Sequence, residues 1–116
     1  MNDEGDVKKA VKKLLDKHVW FWWMPGANGF GMQGVSDFLA LKDGQFLAIE
    51  TKFGKNKPTA LQDRFLMRVA ENGGDSLLVY EDDLASLESY LKNHDERVLW
   101  QEEQFLKSIP TMGGMQ

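Results

Sequence analysis

The chain has 116 residues, no cysteine and a formal net charge of −4, with 42% hydrophobic and 28% charged residues. This length holds one domain with a modest core, and the lack of cysteine excludes disulfides and a thiolate zinc site. The longest apolar run, residues 19–25, is too short to cross a bilayer, so we expect a soluble, cytoplasmic protein without a membrane partner.

The first predicted element is a helix that ends at about Lys17 and is capped by Asn2 or Asp3. Glu4 lies in its first turn, where a carboxylate stabilises the helix dipole, and Asp3 and Asp6 lie close by. One face is apolar, with Val7, Ala10, Val11, Leu14 and Leu15 at helical spacing. The other face carries four lysines, which we interpret as solvated: Lys8, Lys9, Lys12 and Lys13.

A tryptophan-rich strand is predicted at residues 19–24, and a glycine-rich loop follows it. Strand alternation places Val19, Phe21 and Trp23 on one face, and Trp20, Trp22 and Met24 on the other. We interpret this cluster as core or as a dimer contact in preference to a surface for stacking bases. The loop lacks the Gly-Lys-Ser/Thr of a phosphate-binding P-loop, and both a closing loop and a plain connector fit it.

Two short apolar runs joined at residues 42–45 by an Asp-Gly turn predict a β-hairpin. Asp37 opens the first strand, while Glu50 and Lys52 close the second, so antiparallel pairing brings the three together. Glu50 and Lys52 are two residues apart and leave one face of their strand. Two carboxylates suit a hard divalent cation, which activates water and neutralises phosphate charge. Lys52 would orient that water or stabilise the transition state.

The alternative interpretation of this hairpin is structural. Asp37 would then be a turn residue, and Glu50 and Lys52 an ordinary solvated pair. We favour the site because an aspartate, a hairpin and Glu-x-Lys fall at the same end.

Basic residues follow the hairpin. Lys55 and Lys57 lie in the next loop, placed to hold phosphates, and Arg64 and Arg68 share one face of the following helix at i, i+4 spacing. The arginines would track a nucleic-acid backbone, although a solvated face is the simpler interpretation. Residues 1–72 carry eleven Lys or Arg against nine Asp or Glu, so positive charge concentrates around the candidate site.

Thr59 and Gln62 predict a capping box for that helix, which ends at Asn72-Gly73-Gly74. Residues 76–80 then predict a buried strand that joins the sheet in a parallel crossover. Residues 81–83 are acidic and begin a last helix, where the helix dipole explains them better than a second metal site.

The predicted fold is α/β, a mixed β-sheet flanked by helices in the order α-β-β-β-α-β-α. We expect residues 1–92 to form the domain and residues 93–116 to form a partly docked, partly flexible extension.

These motifs, in this order, resemble the PD-(D/E)xK nuclease superfamily, which has the restriction-endonuclease-like fold. Val35-Ser36 stands where many members carry proline before the aspartate. Within the superfamily the chain is similar to the VRR-NUC (virus-type replication-repair nuclease) domain of the stand-alone phage type. The similarity rests on four elements, namely Gly34-Val35-Ser36-Asp37-Phe38, Ile49-Glu50-Thr51-Lys52, Thr59-Ala60-Leu61-Gln62 and, on the first helix, Glu4.

The resemblance implies a DNA endonuclease that uses Mg²⁺ or Mn²⁺ and recognises DNA structure, such as junctions or flaps. Asp37, Glu50 and the Thr51 carbonyl would bind metal, Lys52 would position or activate water, and Glu4 and Gln62 would complete the site. The resemblance also implies a homodimer, for which the tryptophan cluster is the candidate contact, and no organic cofactor. Two alternatives remain open: a catalytically silent nucleic-acid-binding module, and a protein–protein interaction domain built on the tryptophan cluster.

Overall fold

The computed structural model describes residues 1–26 and 32–94. Within these residues it confirms the α/β class and the predicted order of elements. The elements are α1 (Glu4–Lys17), β1 (Phe21–Trp23), β2 (Phe38–Lys42), β3 (Gln45–Thr51), α2 (Ala60–Glu71) and β4 (Asp75–Val79), followed by a 3₁₀ turn (Glu81–Asp83) and α3 (84–94).

The four strands of this part of the chain form one mixed sheet in the order β1-β2-β3-β4. β1 pairs with β2 and β2 with β3, both antiparallel, whereas β4 runs parallel to β3. The parallel pairing confirms the predicted crossover, because parallel neighbours need a long connection, which α2 supplies.

The β2–β3 hairpin turns through two residues, Asp43 and Gly44, whose φ angles are 50° and 82°. Two positive φ values define a type I′ turn, which matches the twist of the flanking strands and explains the Asp-Gly pair. β2 begins later than predicted, at Phe38 instead of Gly34. Gly34 has φ 78°, and the Ser36 hydroxyl donates to the Phe38 carbonyl, so these residues approach the sheet outside its ladder.

The core lies between one face of the sheet, α1 and α3. Alternation along β2 and β3 sends Phe38, Ala40, Leu47 and Ile49 to this face, and all four are fully buried. The helices contribute Val7, Val11 and Leu15 from α1 and Leu87 and Leu91 from α3, and Trp20 and Val79 complete the buried cluster. The apolar stripe predicted for the first helix therefore faces the core.

The aromatic strand divides as its alternation predicts. Trp20 is buried, and Trp22 packs edge-on to Phe38 with ring centroids 5.7 Å apart. On the opposite face Phe21 is 67% exposed and Trp23 is 38% exposed. The strand is shorter than the predicted 19–24: it ends at Trp23, and at its start Val19 has φ 59°, outside the extended region.

α2 begins with the predicted capping box. The Gln62 N–H donates to the Thr59 hydroxyl over 3.2 Å, and the Thr59 N–H donates to Gln62 Oε1 over 2.9 Å. The helix lies on the sheet face opposite α1, where the Ser76 hydroxyl donates to the Leu66 carbonyl. None of its residues is buried by the described part of the chain, so α2 covers that face only partly.

α3 is described as far as residue 94. The predicted C-terminal extension from residue 95 onward, and residues 27–31 of the glycine-rich loop, lie outside the described residues. No helix in the described ranges is long and apolar enough to cross a membrane.

Candidate active site

The hairpin and the end of β3 build the centre of the candidate site. Phe38 pairs with Ile49, so the residue before β2, Asp37, lies opposite the end of β3. Asp37 Oδ2 accepts two hydrogen bonds from Thr51, one from the backbone N–H at 3.0 Å and one from the hydroxyl at 2.5 Å. These bonds fix the carboxylate beside Glu50 and leave Asp37 Oδ1 to face the site.

The N-terminal turn of α1 closes the site from the other side. Lys52 Nζ lies 3.5 Å from Glu50 Oε2 and 3.9 Å from Glu4 Oε1. The helix is oriented by the Asp3 N-cap, whose carboxylate accepts the Asp6 N–H. Asp37, Glu50 and Lys52 therefore converge as the hairpin pattern predicts, and Glu4 lies beside Lys52, whereas the sequence left Asp3 and Asp6 as alternatives to it.

Glu50 is the least accessible charged group of the site, with 1% of its surface exposed. Burial, reinforced by the neighbouring Asp37 carboxylate, raises the pKa of Glu50 to about 7, although Lys52 opposes the shift. Glu50 Oε1 has no hydrogen-bond partner among the described residues. A buried carboxylate oxygen without a hydrogen-bond partner costs free energy of folding. Glu50 Oε1 is therefore a candidate ligand atom for a bound cation.

Lys8 belongs to the site, and the prediction that it lies on a solvated face is wrong. Its Nζ lies 3.4 Å from Glu4 Oε2 and 3.7 Å from Asp37 Oδ1. Burial opposes the charge of Lys8, but Asp37, Glu4 and Glu50 outweigh it and raise the lysine pKa. The i, i+4 spacing from Glu4 was the available signal, because such residues are neighbours on a helix.

Gln62 has a demonstrated structural role. Its side-chain oxygen is engaged by the Thr59 N–H in the capping box. The role in the active site that the resemblance implies would fall to its amide nitrogen and stays a prediction.

The predicted phosphate-binding residues lie on two elements that follow β3 in the chain. Lys55 and Lys57 are exposed on the loop after β3. That loop is anchored to the 3₁₀ turn, where the Glu81 carboxylate accepts the Gly54 N–H at 3.0 and 3.1 Å. Arg64 and Arg68 are exposed on α2. The acidic 3₁₀ turn thus has a tethering role in addition to its place at a helix start.

The donor set of the site fits a hard divalent cation. No group of three or more His, Cys, Asp or Glu side chains with ligand spacing occurs in the described residues, so the carboxylate ligands would be two, Asp37 and Glu50. The Lys52 N–H donates to Val79 on β4, whereas the Thr51 N–H points to Asp37. Because N–H and C=O of one strand residue share a side, the Thr51 carbonyl also points toward Asp37. Mg²⁺ keeps several waters when held by so few carboxylates.

Replacing Lys8 by methionine is expected to tighten Mn²⁺ binding about tenfold, because an ammonium beside the carboxylates repels a second cation. The measurement is Mn²⁺ titration followed by electron paramagnetic resonance. The matched control is Lys9→Met, which alters the next residue on the exposed side of α1. Equal Mn²⁺ affinities for the two variants would contradict a role of Lys8 in the charge balance of the site.

No protein-family model matches the chain, and no curated protein matches it.

Proposed function

We propose that this chain is a DNA endonuclease that hydrolyses phosphodiester bonds with Mg²⁺ or Mn²⁺. The observation that carries the proposal is the Glu50 carboxylate, buried beside Asp37 with Oε1 unpaired among the described residues. A buried carboxylate oxygen without a partner costs free energy, and a divalent cation bound beside Asp37 and Glu50 would offset that cost. An ion pair between Glu50 and Lys52 with only a structural role would not need the Asp37 carboxylate beside it.

Each side chain then has a role. Asp37 Oδ1, Glu50 Oε1 and the Thr51 carbonyl would hold the ion, which supplies an activated water and neutralises phosphate charge when bound. Lys52, held between Glu50 and Glu4, orients the attacking water by donating hydrogen bonds. Glu4 also contacts Lys8, so it sets the positions of both ammonium groups.

DNA as the substrate is supported by where positive charge lies. Lys55 and Lys57 sit on the tethered loop that begins at the end of β3, within a few residues of Lys52. Phosphate contacts of this kind fix the position of DNA without reading its sequence. A domain of this size offers little surface for base-specific contacts, so we propose recognition of DNA structure, such as junctions or flaps.

The proposal includes a homodimer, in which two sites would face two strands. Phe21, Trp23 and Leu41 form an exposed apolar surface on one face of the sheet, with 67%, 38% and 38% of their surfaces accessible. Burying it against a second copy would remove apolar area from water. Equilibrium sedimentation that detects only monomer at high protein concentration would remove this part of the proposal.

The deciding experiment is cleavage of labelled linear, nicked, flapped and four-way DNA with Mg²⁺, Mn²⁺ or EDTA. We expect metal-dependent cutting that falls about 10²–10⁴-fold in Lys52→Ala. Lys13→Ala, which removes an equivalent charge from the exposed face of α1, is expected to cut normally. If the chain binds DNA but never cuts it, the nuclease proposal fails, and a catalytically silent binding module becomes the better explanation.

A further inference from the structure

A cavity of about 680 Å³ lies between α2 and the sheet face that α2 only partly covers. Its floor is Phe46, and its α2 wall is formed by Leu61, Phe65 and Val69. Arg64 and Arg68, neighbours at i, i+4, also line it. The volume falls in the range of small-molecule sites, which are mostly apolar with a few polar groups.

The charges of this cavity favour an anionic ligand. Neither Arg64 nor Arg68 forms an ion pair with a residue in 1–26 or 32–94. Two polar amides, Gln33 and Asn72, complete the lining. A ligand that matches has a flat apolar body, hydrogen-bonding edges and negative charge beside it, which is the chemistry of a nucleotide.

The cavity is joined to the candidate active site by two structural connections. Phe46 and Glu50 leave the same face of β3, four residues apart, which is about 13 Å along the strand. The cavity wall also includes Met32 and Gln33, and this segment leads directly to Asp37. Gly34 packs so closely on Leu61 that an added Cβ would approach the Leu61 backbone to 2.5 Å. The segment from Met32 to Asp37 therefore connects the cavity to the site.

We propose that this cavity accepts an unpaired base of a DNA strand whose phosphates Arg64 and Arg68 contact, and this rests on the proposed function. Bases in a duplex are stacked on one another and do not offer a free face to Phe46 or Phe65. The substrate consequently carries a single-stranded stretch next to the bond to be cut. Aromatic stacking of this kind tolerates any base, so it selects strand structure without selecting sequence.

The test measures binding in EDTA, where no cleavage occurs, by fluorescence anisotropy. The probes are an oligothymidine of about 12 nucleotides and an abasic oligomer of the same length, which keeps the phosphates and lacks bases. The wild-type chain is expected to bind the oligothymidine about tenfold more tightly than the abasic oligomer. Equal affinities for the two probes would overturn the proposal.

Variants test whether the preference for the oligothymidine over the abasic oligomer arises in the cavity. Phe65→Leu keeps an apolar side chain but removes the ring, and it is expected to abolish the preference for bases. Replacing Arg64 and Arg68 together by glutamine is expected to weaken binding of both probes. It should also reduce the slope of log K against log salt concentration by about 1.4, because two phosphate contacts are lost. The charge-matched control replaces Lys12 and Lys13 by glutamine and is expected to keep the preference. A control that weakens binding as much as the arginine pair would overturn the assignment.

Two further outcomes distinguish this inference from a dimer interface at the cavity and from the proposed nuclease function. If Phe65→Leu changes the sedimentation coefficient and leaves both probes unaffected, the cavity is an interface between copies and the inference fails. Lys52→Ala is expected to retain the base preference, because it leaves the cavity intact. Base preference without any metal-dependent cutting would defeat the proposed function alone, whereas cutting without base preference would defeat this inference alone.

Discussion

Replacing Glu50 by glutamine is expected to abolish metal-dependent cleavage and, at pH 8, to make the folded chain more stable. The loss of cleavage follows because the amide cannot supply the charged oxygen that a divalent cation needs. The gain in stability follows because burial, together with Asp37, raises the pKa of Glu50 from 4.5 to about 7. Wild-type protein at pH 8 must therefore keep an ionised carboxylate in an environment that disfavours it.

The contribution of Glu50 to the stability of the folded chain decreases as the pH rises. Between pH 4.5 and about 7 the folded chain holds a proton on Glu50 that the unfolded chain has lost. Stability from this group is complete below pH 4.5 and is lost as the pH rises through 7. The shift amounts to about 3 kcal/mol at pH 8, which Glu50→Gln should recover.

Chemical denaturation in EDTA at pH 5 and pH 8 measures this effect. Glu71→Gln, at an exposed position on α2, is the matched control and should behave like the wild type. Mn²⁺ should stabilise the wild type at pH 8 and leave Glu50→Gln unaffected, since an ion that binds only the folded state stabilises it. A Glu50→Gln variant that gains no stability relative to wild type between pH 5 and pH 8 would contradict the buried, ionisable role.

Replacing Gly34 by alanine is expected to cost about 4 kcal/mol of the free energy of unfolding, a left-handed φ penalty plus the cost of overpacking. The residue has φ 78°, and an added Cβ would lie 2.5 Å from the Leu61 carbonyl carbon and oxygen. Backbone atoms of a helix cannot give way as a flexible side chain can. The segment leading to Asp37 would move instead, so cleavage should fall together with stability.

Gly44→Ala separates the two contributions. Gly44 has φ 82°, close to that of Gly34, but an added Cβ would meet no described atom within 4 Å. This control should lose about 1–2 kcal/mol from backbone strain alone and keep its cleavage activity. Thermal or urea denaturation of both variants provides the comparison. Equal losses for the two variants would show that the contact between Gly34 and Leu61 does not constrain the segment before Asp37.

Local patterns in the sequence predict most of the fold. The Asp43-Gly44 turn determines the hairpin register, because a two-residue turn leaves one way to pair the strands. The Thr59–Gln62 capping box predicts the start of α2 correctly. The convergence of Asp37 and Glu50 follows from the same register. Each of these features depends on residues close together along the chain.

What the sequence does not reveal depends on contacts between distant elements. Lys8 reaches Asp37 because α1 docks with its first turn over the end of β3. The near-complete burial of Glu50, and therefore its raised pKa, also needs the whole assembly. The cavity beside α2 arises because that helix covers only part of its sheet face, which its apolar spacing does not show.

The brevity of β1 limits how this protein can associate with other chains. A sheet edge displays unpaired N–H and C=O groups that invite further strands, and proteins protect such edges by keeping them short or adding proline. β1 has only three residues, is preceded by left-handed Val19 and is followed closely by Pro25, which has no N–H. This edge is therefore a poor template for fibril-like growth. The aromatic side chains that β1 exposes remain available for contacts across the face of the sheet.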